Sequence, residues 1–237
     1  MQKPPLIPSL IVLAFVILMI NLGFWQLDRA NQKTDLLVLL ADDNITKVTD
    51  AKQIKTLPQY ANVNLKGRYL SAPQLLLDNQ IDNQVVGYHV FTPFLIEGLG
   101  TYIMVNRGWV AKDKLDQRDF SVQTDTIVLQ GKLNHSPQVG IQLGEIELDK
   151  DQKIQVMTYF DRDKVSKYLY ENLCKDLSCI VSHRVLLLEK NQDQGFKREW
   201  QPVVMPPEKH IGYAVQWFSM TFVLIVLFVY WVSKLKD

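Results

Sequence analysis

The chain has 237 residues, and its 26 basic and 25 acidic side chains give a formal net charge of +1, which argues against a nucleic-acid-binding protein. The charges are unevenly placed, because residues 4–27 and 210–233 each hold 24 positions without Asp, Glu, Lys or Arg. A bilayer core of about 30 Å needs about 20 helical residues, so either segment is long enough to cross it, and a simple soluble globule is excluded.

The first apolar segment predicts a transmembrane helix over residues 8–27, after a short tail at residues 1–7. Pro8 suits the first turn of a helix, and residues 10–20 form an unbroken apolar run. A cleaved signal peptide is the alternative interpretation. Since no Ala-x-Ala pattern follows the apolar run, we expect this helix to be retained.

One face at the end of this helix carries Trp25, Arg29 and Lys33, which recur at a spacing of four. An interfacial anchor explains Trp and basic residues at this depth, and a binding face is the other interpretation. Residues Thr34 to Leu40 predict a helical extension, which we expect to stop at Asp42.

Residues 28–210 predict a single β-rich domain of α+β type. Residues 28–209 carry 23 basic and 24 acidic side chains, which is ordinary for an aqueous domain, and about 180 residues suit one core. Alternation and β-branched composition predict many short strands, and these favour an antiparallel barrel or sandwich. The predicted strands are Tyr60–Leu70, Gln74–Leu77, Val85–Ile96, Thr101–Val110, Thr126–Leu133 and Arg184–Leu188.

Turn and cap residues support this division of the domain. Asp78-Asn79 predicts a turn after the second strand, and residues 98–100 join the next two strands into a hairpin. Residues 161–173 predict a helix with Asp161 as its N-cap. Gly108 beside Trp109 predicts a turn or bulge, whose residues either pack on the core or present a partner-binding surface.

Cys174 and Cys179 are the only cysteines, and four residues separate them. They are either free structural thiols or a disulfide, and a disulfide requires an oxidising compartment and a turn between them. Two sulfurs are too few ligands for a structural zinc site, although they could also bind copper.

The second apolar segment predicts a transmembrane helix over residues 211–232, followed by a tail at residues 233–237. At its domain side, His210, Tyr213 and Trp217 fall at i, i+3 and i+7 and form one polar-aromatic stripe. An ionisable group at membrane depth often marks a site, and a solvated interfacial histidine is the alternative. Polar groups at that depth need partners, so we expect the two helices to pack together.

No recognisable catalytic motif occurs in the sequence, so we do not expect an enzyme. His89, His135 and His183 lie on different predicted elements, without a Ser or Cys nucleophile in a known pattern. The sequence also contains no Cys-x-x-Cys-His, no glycine-rich phosphate loop and no zinc signature.

Four separated motifs together resemble the Surfeit locus protein 1 family, and they span nearly the whole chain. Glu208 and Lys209 stand where the family's commoner form has two asparagines. The motifs are Leu22-Gly23-Phe24-Trp25-Gln26-Leu27-Asp28-Arg29 with Lys33, Gly87-Tyr88-His89-Val90-Phe91-Thr92-Pro93, Val105-Asn106-Arg107-Gly108-Trp109-Val110, and His210-Ile211-Gly212-Tyr213-Ala214-Val215-Gln216-Trp217.

The resemblance implies a bacterial inner-membrane chaperone for assembly of the haem-copper cytochrome c oxidase, acting when haem a is inserted into the catalytic subunit. It implies that His210 is the haem contact. The residues fit this role physically, since a neutral imidazole can supply an axial iron ligand and Tyr213 and Trp217 can pack against the macrocycle. We also expect Trp25 and Arg29 to contribute to cofactor binding, with Arg29 pairing with a haem propionate. The implied partners are the oxidase catalytic subunit, the haem a synthesis enzyme and the lipid bilayer, with no nucleic acid.

Orientation follows from the resemblance alone, because the positive-inside rule does not decide the side of a domain of about 180 residues. Both termini would be cytoplasmic and residues 28–210 periplasmic. The alternative function is a cofactor-free membrane scaffold that stabilises an oxidase assembly intermediate, with His210 incidental.

Overall fold

Two compact units make up the chain. The structure is a computed structural model that describes residues 5–138, 140, 146–174, 179–200 and 205–234. One unit is a pair of helices from the two ends of the chain, and the other is a β-rich unit over residues 42–200. The helices of the chain are α1 (Leu6–Ala41), α2 (Ala51–Thr56), α3 (Arg162–Leu173) and α4 (Pro207–Lys234).

The two terminal helices, α1 and α4, are long and apolar enough to cross a membrane. Their 36 and 28 residues correspond to about 54 and 42 Å at the usual helical rise, more than the bilayer core requires. Helix α1 continues unbroken from Leu27 to Ala41, which confirms the predicted extension. The Asp42 carboxylate then accepts a hydrogen bond from the backbone N–H of Asn44 at 3.0 Å, so the chain turns directly after the helix.

A closed barrel forms the centre of the β-rich unit. The described strands follow the order β1-β2-β6-β8-β5-β4-β3-β7, and β2 also pairs with β4. This additional pairing joins the ends of the five-strand run from β2 to β4. The strands are β1 (Ile45–Lys47), β2 (Asn62–Tyr69), β3 (Gln74–Asp82), β4 (Val85–Ile96), β5 (Thr101–Ala111), β6 (Ile127–His135), β7 (Ile154–Met157) and β8 (Ile180–Leu188).

The barrel prediction is confirmed, but the sheet is mixed rather than purely antiparallel. Strands β1 and β2, β3 and β7, and β5 and β8 pair in parallel. Parallel neighbours need a long crossover connection, and long stretches of chain separate the members of the last two pairs. Sequence periodicity detects strands but carries no information about their direction in the sheet.

The barrel interior is filled by alternate residues of its strands. Val63 and Leu65 of β2, Phe94 of β4, and Leu186 and Leu188 of β8 all lie in this core. Ile54 of α2 belongs to the same cluster, so this short helix covers part of the barrel core. The period-two pattern read from the sequence is therefore the pattern that fills the barrel.

The predicted turn at Asp78-Asn79 is wrong, because β3 continues to Asp82. The pairing of β3 with β4 shifts register at these two residues, and Asn79 has a positive φ of 58° there. The chain reverses instead at Asn83 and Gln84, whose φ values of 46° and 67° suit a tight two-residue hairpin. The Asp-Asn signal therefore marks a bulge rather than a turn.

The bulge predicted at Gly108 is confirmed, and it lies where a segment from the end of the unit crosses β5. Gly108 has a φ of 118°, and a Cβ placed on it would lie 2.6 Å from the carbonyl oxygen of Lys197. The backbone N–H of Trp109 donates to that carbonyl at 2.7 Å. Because Arg107 beside it is fully buried, core packing and not a partner surface accounts for this residue.

Cys174 and Cys179 form a disulfide between the end of α3 and the start of β8. Their Cα atoms are 5.8 Å apart, within the usual range for a disulfide. The structure therefore supports the disulfide among the alternatives that the sequence left open.

Candidate functional site

The candidate site lies within the helical pair, where small residues let α1 and α4 approach closely. Gly23 and Ala30 of α1 and Ala214 of α4 are buried. A Cβ on Gly23 would lie 2.6 Å from the ring of Phe218, so any larger residue here would force this ring out of its place. The predicted packing of the two helices is thereby confirmed.

Aromatic contact fixes the relative register of the two helices. The rings of Phe24 and Phe218 meet edge to face, with centroids 5.4 Å apart and an interplanar angle of 73°. In this register Gln26 of α1 comes to lie beside His210, in the first turn of α4.

Gln26 and His210 share a hydrogen bond across the two helices. Nδ1 of His210 lies 2.8 Å from Oε1 of Gln26. With Oε1 of Gln26 facing the ring, this oxygen accepts the bond, so Nδ1 carries the proton and, in the neutral imidazole, Nε2 carries the free lone pair. If the amide turned over and presented its NH2 group, the other tautomer would result.

The second ring nitrogen of His210 has no such partner. Nε2 is buried and makes no hydrogen bond to any of the described residues. A buried nitrogen that loses contact with water without gaining a partner is unfavourable, and such an atom in a folded protein points to an absent ligand.

The structure brings together only part of the residue set predicted from the sequence. On α4, Tyr213 is 45% exposed and Trp217 is half-buried, as expected for a stripe leading away from His210. On α1, the guanidinium of Arg29 lies 5.7 Å from the ring centroid of Trp25 and also bonds to Oε1 of Gln32 at 2.9 Å. Among the described contacts, Trp25 and Arg29 thus form their own pair, and Gln26 is the residue that reaches His210.

Gln26 was missed by the sequence reasoning, although a signal for it exists. It follows Gly23 by three positions and precedes Ala30 by four, so helical periodicity puts it on the same face as these two small residues. A polar residue on the small-residue face of a membrane helix predicts a hydrogen bond to the neighbouring helix.

The remaining histidines belong to the β-rich unit, and they form no metal centre among the described residues. His135 and His183 line a cleft of about 360 Å³ together with Asp161 and Arg162. His89 lies with its ring against Trp200, at a centroid distance of 5.9 Å.

Most of the chain is similar to a known protein family. The model of the SURF1 family matches residues 13–222, from α1 into α4. This range includes most of α1, the first part of α4 and the whole β-rich unit.

Individual relatives agree with this match. The chain is 24% identical over 234 residues to a SURF1-like protein of Rickettsia bellii, covering 93% of this chain and 88% of the relative. It is 26% identical over 111 residues to the cytochrome oxidase assembly protein SHY1 of Saccharomyces cerevisiae, covering 44% of this chain and 28% of that protein. It is 30% identical over 119 residues to Surfeit locus protein 1 of Takifugu rubripes, covering 40% of this chain and 47% of that protein.

Proposed function

Because the chain belongs to the SURF1 family, we propose that it is a membrane-bound assembly factor for cytochrome c oxidase that contacts haem a through His210. The yeast relative, a cytochrome oxidase assembly protein, supports the assembly role. In this role the protein holds haem a while it enters the catalytic subunit. It binds haem a and delivers it without changing the macrocycle chemically.

The unpartnered Nε2 of His210 is the single observation that carries the haem proposal. A neutral imidazole with a free lone pair is a common axial ligand of haem iron. Its other nitrogen is already bonded to Gln26, as is usual for a ligating histidine. The donor chemistry of this position therefore fits the proposed group.

Other predicted residues would complete the site. When bound, haem a supplies an iron that takes axial nitrogen ligands and propionates that accept hydrogen bonds from cations. Tyr213 and Trp217 offer aromatic faces on the same side of α4 as His210. Arg29, steadied over Trp25, offers a guanidinium suited to a propionate.

The partners of the protein in this role are the proteins between which haem a is transferred. The factor receives haem a from the enzyme that makes it and passes it to the oxidase catalytic subunit. Two membrane-crossing helices keep His210 near the bilayer surface.

A variant of His210 tests the haem proposal. The chain is purified in mild detergent from cells that make haem a, and its absorption spectrum and the amount of assembled oxidase are measured. His210→Ala should lose most of the bound haem and lower oxidase assembly at unchanged protein abundance. The residue lies at a helix end, so truncation should cost well under the roughly 2 to 5 kcal/mol of a core substitution.

The matched control is His135→Ala, which removes an exposed histidine from the β-rich unit and should leave haem and assembly unchanged. If His210→Ala retains full haem with an unaltered spectrum, ligation by His210 is wrong. Unchanged oxidase assembly together with lost haem would instead support the cofactor-free scaffold.

We also propose that the β-rich unit faces the periplasm and that both termini face the cytoplasm. The disulfide between Cys174 and Cys179 supports this orientation, since disulfides persist in oxidising compartments. A periplasmic reporter inserted at Gly98, in an exposed loop with open space around its Cα, should be active. A reporter fused after Asp237 should be active only if it is a cytoplasmic one, and the reverse pattern would refute the orientation.

A further inference from the structure

We propose that Gln26 is the positioning residue of the His210 site, since its side-chain carbonyl holds the proton of His210 on Nδ1 and so presents Nε2 as a lone-pair donor to haem iron. This inference rests on the proposed function and deepens it. Gln26 itself touches neither the iron nor the macrocycle in this role.

The geometry of the contact sets the tautomer. Oε1 of Gln26 lies 2.8 Å from Nδ1 of His210, a normal distance for an N–H to oxygen hydrogen bond. The alternative tautomer requires the Gln26 amide to turn over, so that its NH2 group donates to an unprotonated Nδ1 and the proton moves to Nε2. With Oε1 facing the ring, the bond to Gln26 makes the iron-binding tautomer the stable one before any haem arrives.

Helix packing holds Gln26 in place. It lies on α1 between Gly23 and Ala30, which are both buried. Phe218 fills the space over Gly23, so α1 cannot slide along α4 without a clash. A partner on a rigid, packed helix limits rotation of the imidazole, and this preorganises the ligand.

The neutral amide of Gln26 also sets the donor strength of the imidazole. A carboxylate at this position would pull the Nδ1 proton more strongly and give the ring more imidazolate character, which strengthens its bond to iron and lowers the reduction potential. The amide favours the same tautomer, but the imidazole then donates less electron density to the iron. Such a ligand can be released, and release is what delivery to another protein requires.

The haem-free chain gives the first test. Histidine labelled with ¹⁵N is incorporated into the full-length protein in detergent micelles, and the tautomer of His210 is read from its ring nitrogen shifts, assigned by comparison with His210→Ala. We expect the Nδ1–H form with an unprotonated Nε2. Gln26→Leu, which keeps the approximate size but has no acceptor, should give a mixture of tautomers, and Gln26→Glu should keep the Nδ1–H form.

The haem-bound protein gives the second test. Gln26→Leu should weaken haem a affinity by about 10- to 100-fold, the usual loss when the partner of a ligating histidine is removed. The reduction potential should move upward in Gln26→Leu and downward in Gln26→Glu. The matched control is Gln216→Leu, the same substitution at an exposed amide of α4, which should change neither tautomer nor potential.

These outcomes separate the inference from the proposed function. If Gln26→Leu leaves the tautomer unchanged in the haem-free chain, or if both variants shift the potential in the same direction, the positioning role of Gln26 is refuted. If the tautomer depends on Gln26 while wild type and His210→Ala bind haem equally, the haem proposal fails and the hydrogen bond is purely structural. Retention of the Nδ1–H form by Gln26→Glu shows that the fold survives substitution at this position.

Discussion

Arg107 donates a hydrogen bond from Nε to the backbone carbonyl of Gln194 at 2.6 Å, joining residues 87 positions apart in the chain. The rest of its guanidinium donates to the carbonyls of Phe120 at 3.0 Å and Ser121 at 3.3 Å, and the group lies 4.9 Å from the ring centroid of Phe196. In the described part of the chain, every hydrogen bond that the Arg107 guanidinium donates goes to a neutral oxygen. Burial lowers the pKa of Arg107 to about 10, which still leaves it charged at neutral pH.

Replacing Arg107 should therefore destabilise the β-rich unit strongly. Arg107→Ala leaves the buried carbonyl of Phe120 without its donor, at a cost of about 1 to 3 kcal/mol, and also removes the bonds to the part-buried carbonyls of Gln194 and Ser121, so we expect a loss of about 2 to 4 kcal/mol. Arg107→Lys should restore only part of this, because an ammonium cannot span the acceptors of a planar guanidinium. Urea unfolding of the full chain in detergent, followed by tryptophan fluorescence, measures it.

The control for this prediction is Arg118→Ala, which removes an exposed arginine that follows the 3₁₀ helix at Lys112–Gln117. It should change the free energy of unfolding by less than about 0.5 kcal/mol. Equal stability of Arg107→Ala and Arg118→Ala would show that the buried guanidinium contributes nothing.

His89 should make the β-rich unit sensitive to acid. Burial against Trp200 lowers its pKa from 6.5 to about 4, although the nearby Asp82 carboxylate acts in the opposite direction. The unfolded chain therefore binds the extra proton between these two values. The contribution of neutral His89 to the free energy of unfolding is present above pH 6.5 and is lost as the pH decreases toward 4. We expect the loss between pH 7 and 4.5 to be about 2 kcal/mol.

His89→Gln removes this titration at similar side-chain size. Its free energy of unfolding should fall less steeply between pH 7 and 4.5 than that of wild type, as measured by urea unfolding at a series of pH values. His183→Gln, at an exposed histidine, serves as the control and should follow the wild-type curve. Parallel curves for wild type and His89→Gln would contradict the prediction.

Much of the fold follows from local patterns. The apolar segments predict α1 and α4, and alternating residues predict the strands that fill the barrel, because burial of one face imposes a period of two. Asp161 was predicted as the N-cap of α3, and its side chain accepts hydrogen bonds from the backbone N–H groups of Asp163 and Lys164. These features depend only on neighbours in the sequence.

The elements that were missed depend on distant partners. Strands β1 and β7 are three and four residues long and exist because they pair in parallel with β2 and β3. Helix α2 has only six residues, although the Asp50 and Gln53 capping box marks its start. Gln26 was missed for a similar reason, since its role depends on the register of α4.

The disulfide should be formed in the mature protein and should stabilise it modestly. Closing a loop of this size between Cys174 and Cys179 is worth about 2 kcal/mol in the chain-entropy treatment. Denatured, unreduced protein should react with no maleimide, and reduction should expose two thiols. Cys174→Ser should expose one thiol without reduction, and two reactive thiols in unreduced wild type would refute both the disulfide and the support it gives to the orientation.

Arg29 should contribute to haem retention without being essential. A charge-assisted bond to a propionate is worth about 1.5 to 3 kcal/mol, so Arg29→Ala should weaken haem affinity about 10- to 100-fold, and Arg29→Lys should recover part of it. Titration of the purified chain with haem a measures this. Lys33→Ala, one turn further along α1, is the control, and an equal loss there would attribute the effect to general positive charge rather than to Arg29.

The contact between Gly23 and Phe218 should decide whether the two membrane helices pack. A Cβ on Gly23 would lie only 2.6 Å from the Phe218 ring, well below the normal carbon–carbon contact distance of about 3.5 to 4.0 Å. Gly23→Leu should therefore separate the helices, and Phe218→Ala in the same chain should partly restore the contact. Gly212→Ala is the control, because nothing lies within 4 Å of a Cβ at that position.

Crosslinking measures this packing directly. Cysteines are placed at Val16 and Leu224, which are half-buried and lie about two turns beyond the Gly23 contact along each helix. A short bifunctional thiol reagent should join them within one molecule in the wild-type background and in Gly212→Ala, and several-fold less in Gly23→Leu. Since His210 reaches Gln26 only when the helices touch, Gly23→Leu should also lose the Nδ1–H tautomer of His210. An unchanged crosslinking yield in Gly23→Leu would show that close approach at this glycine does not hold the helical pair together.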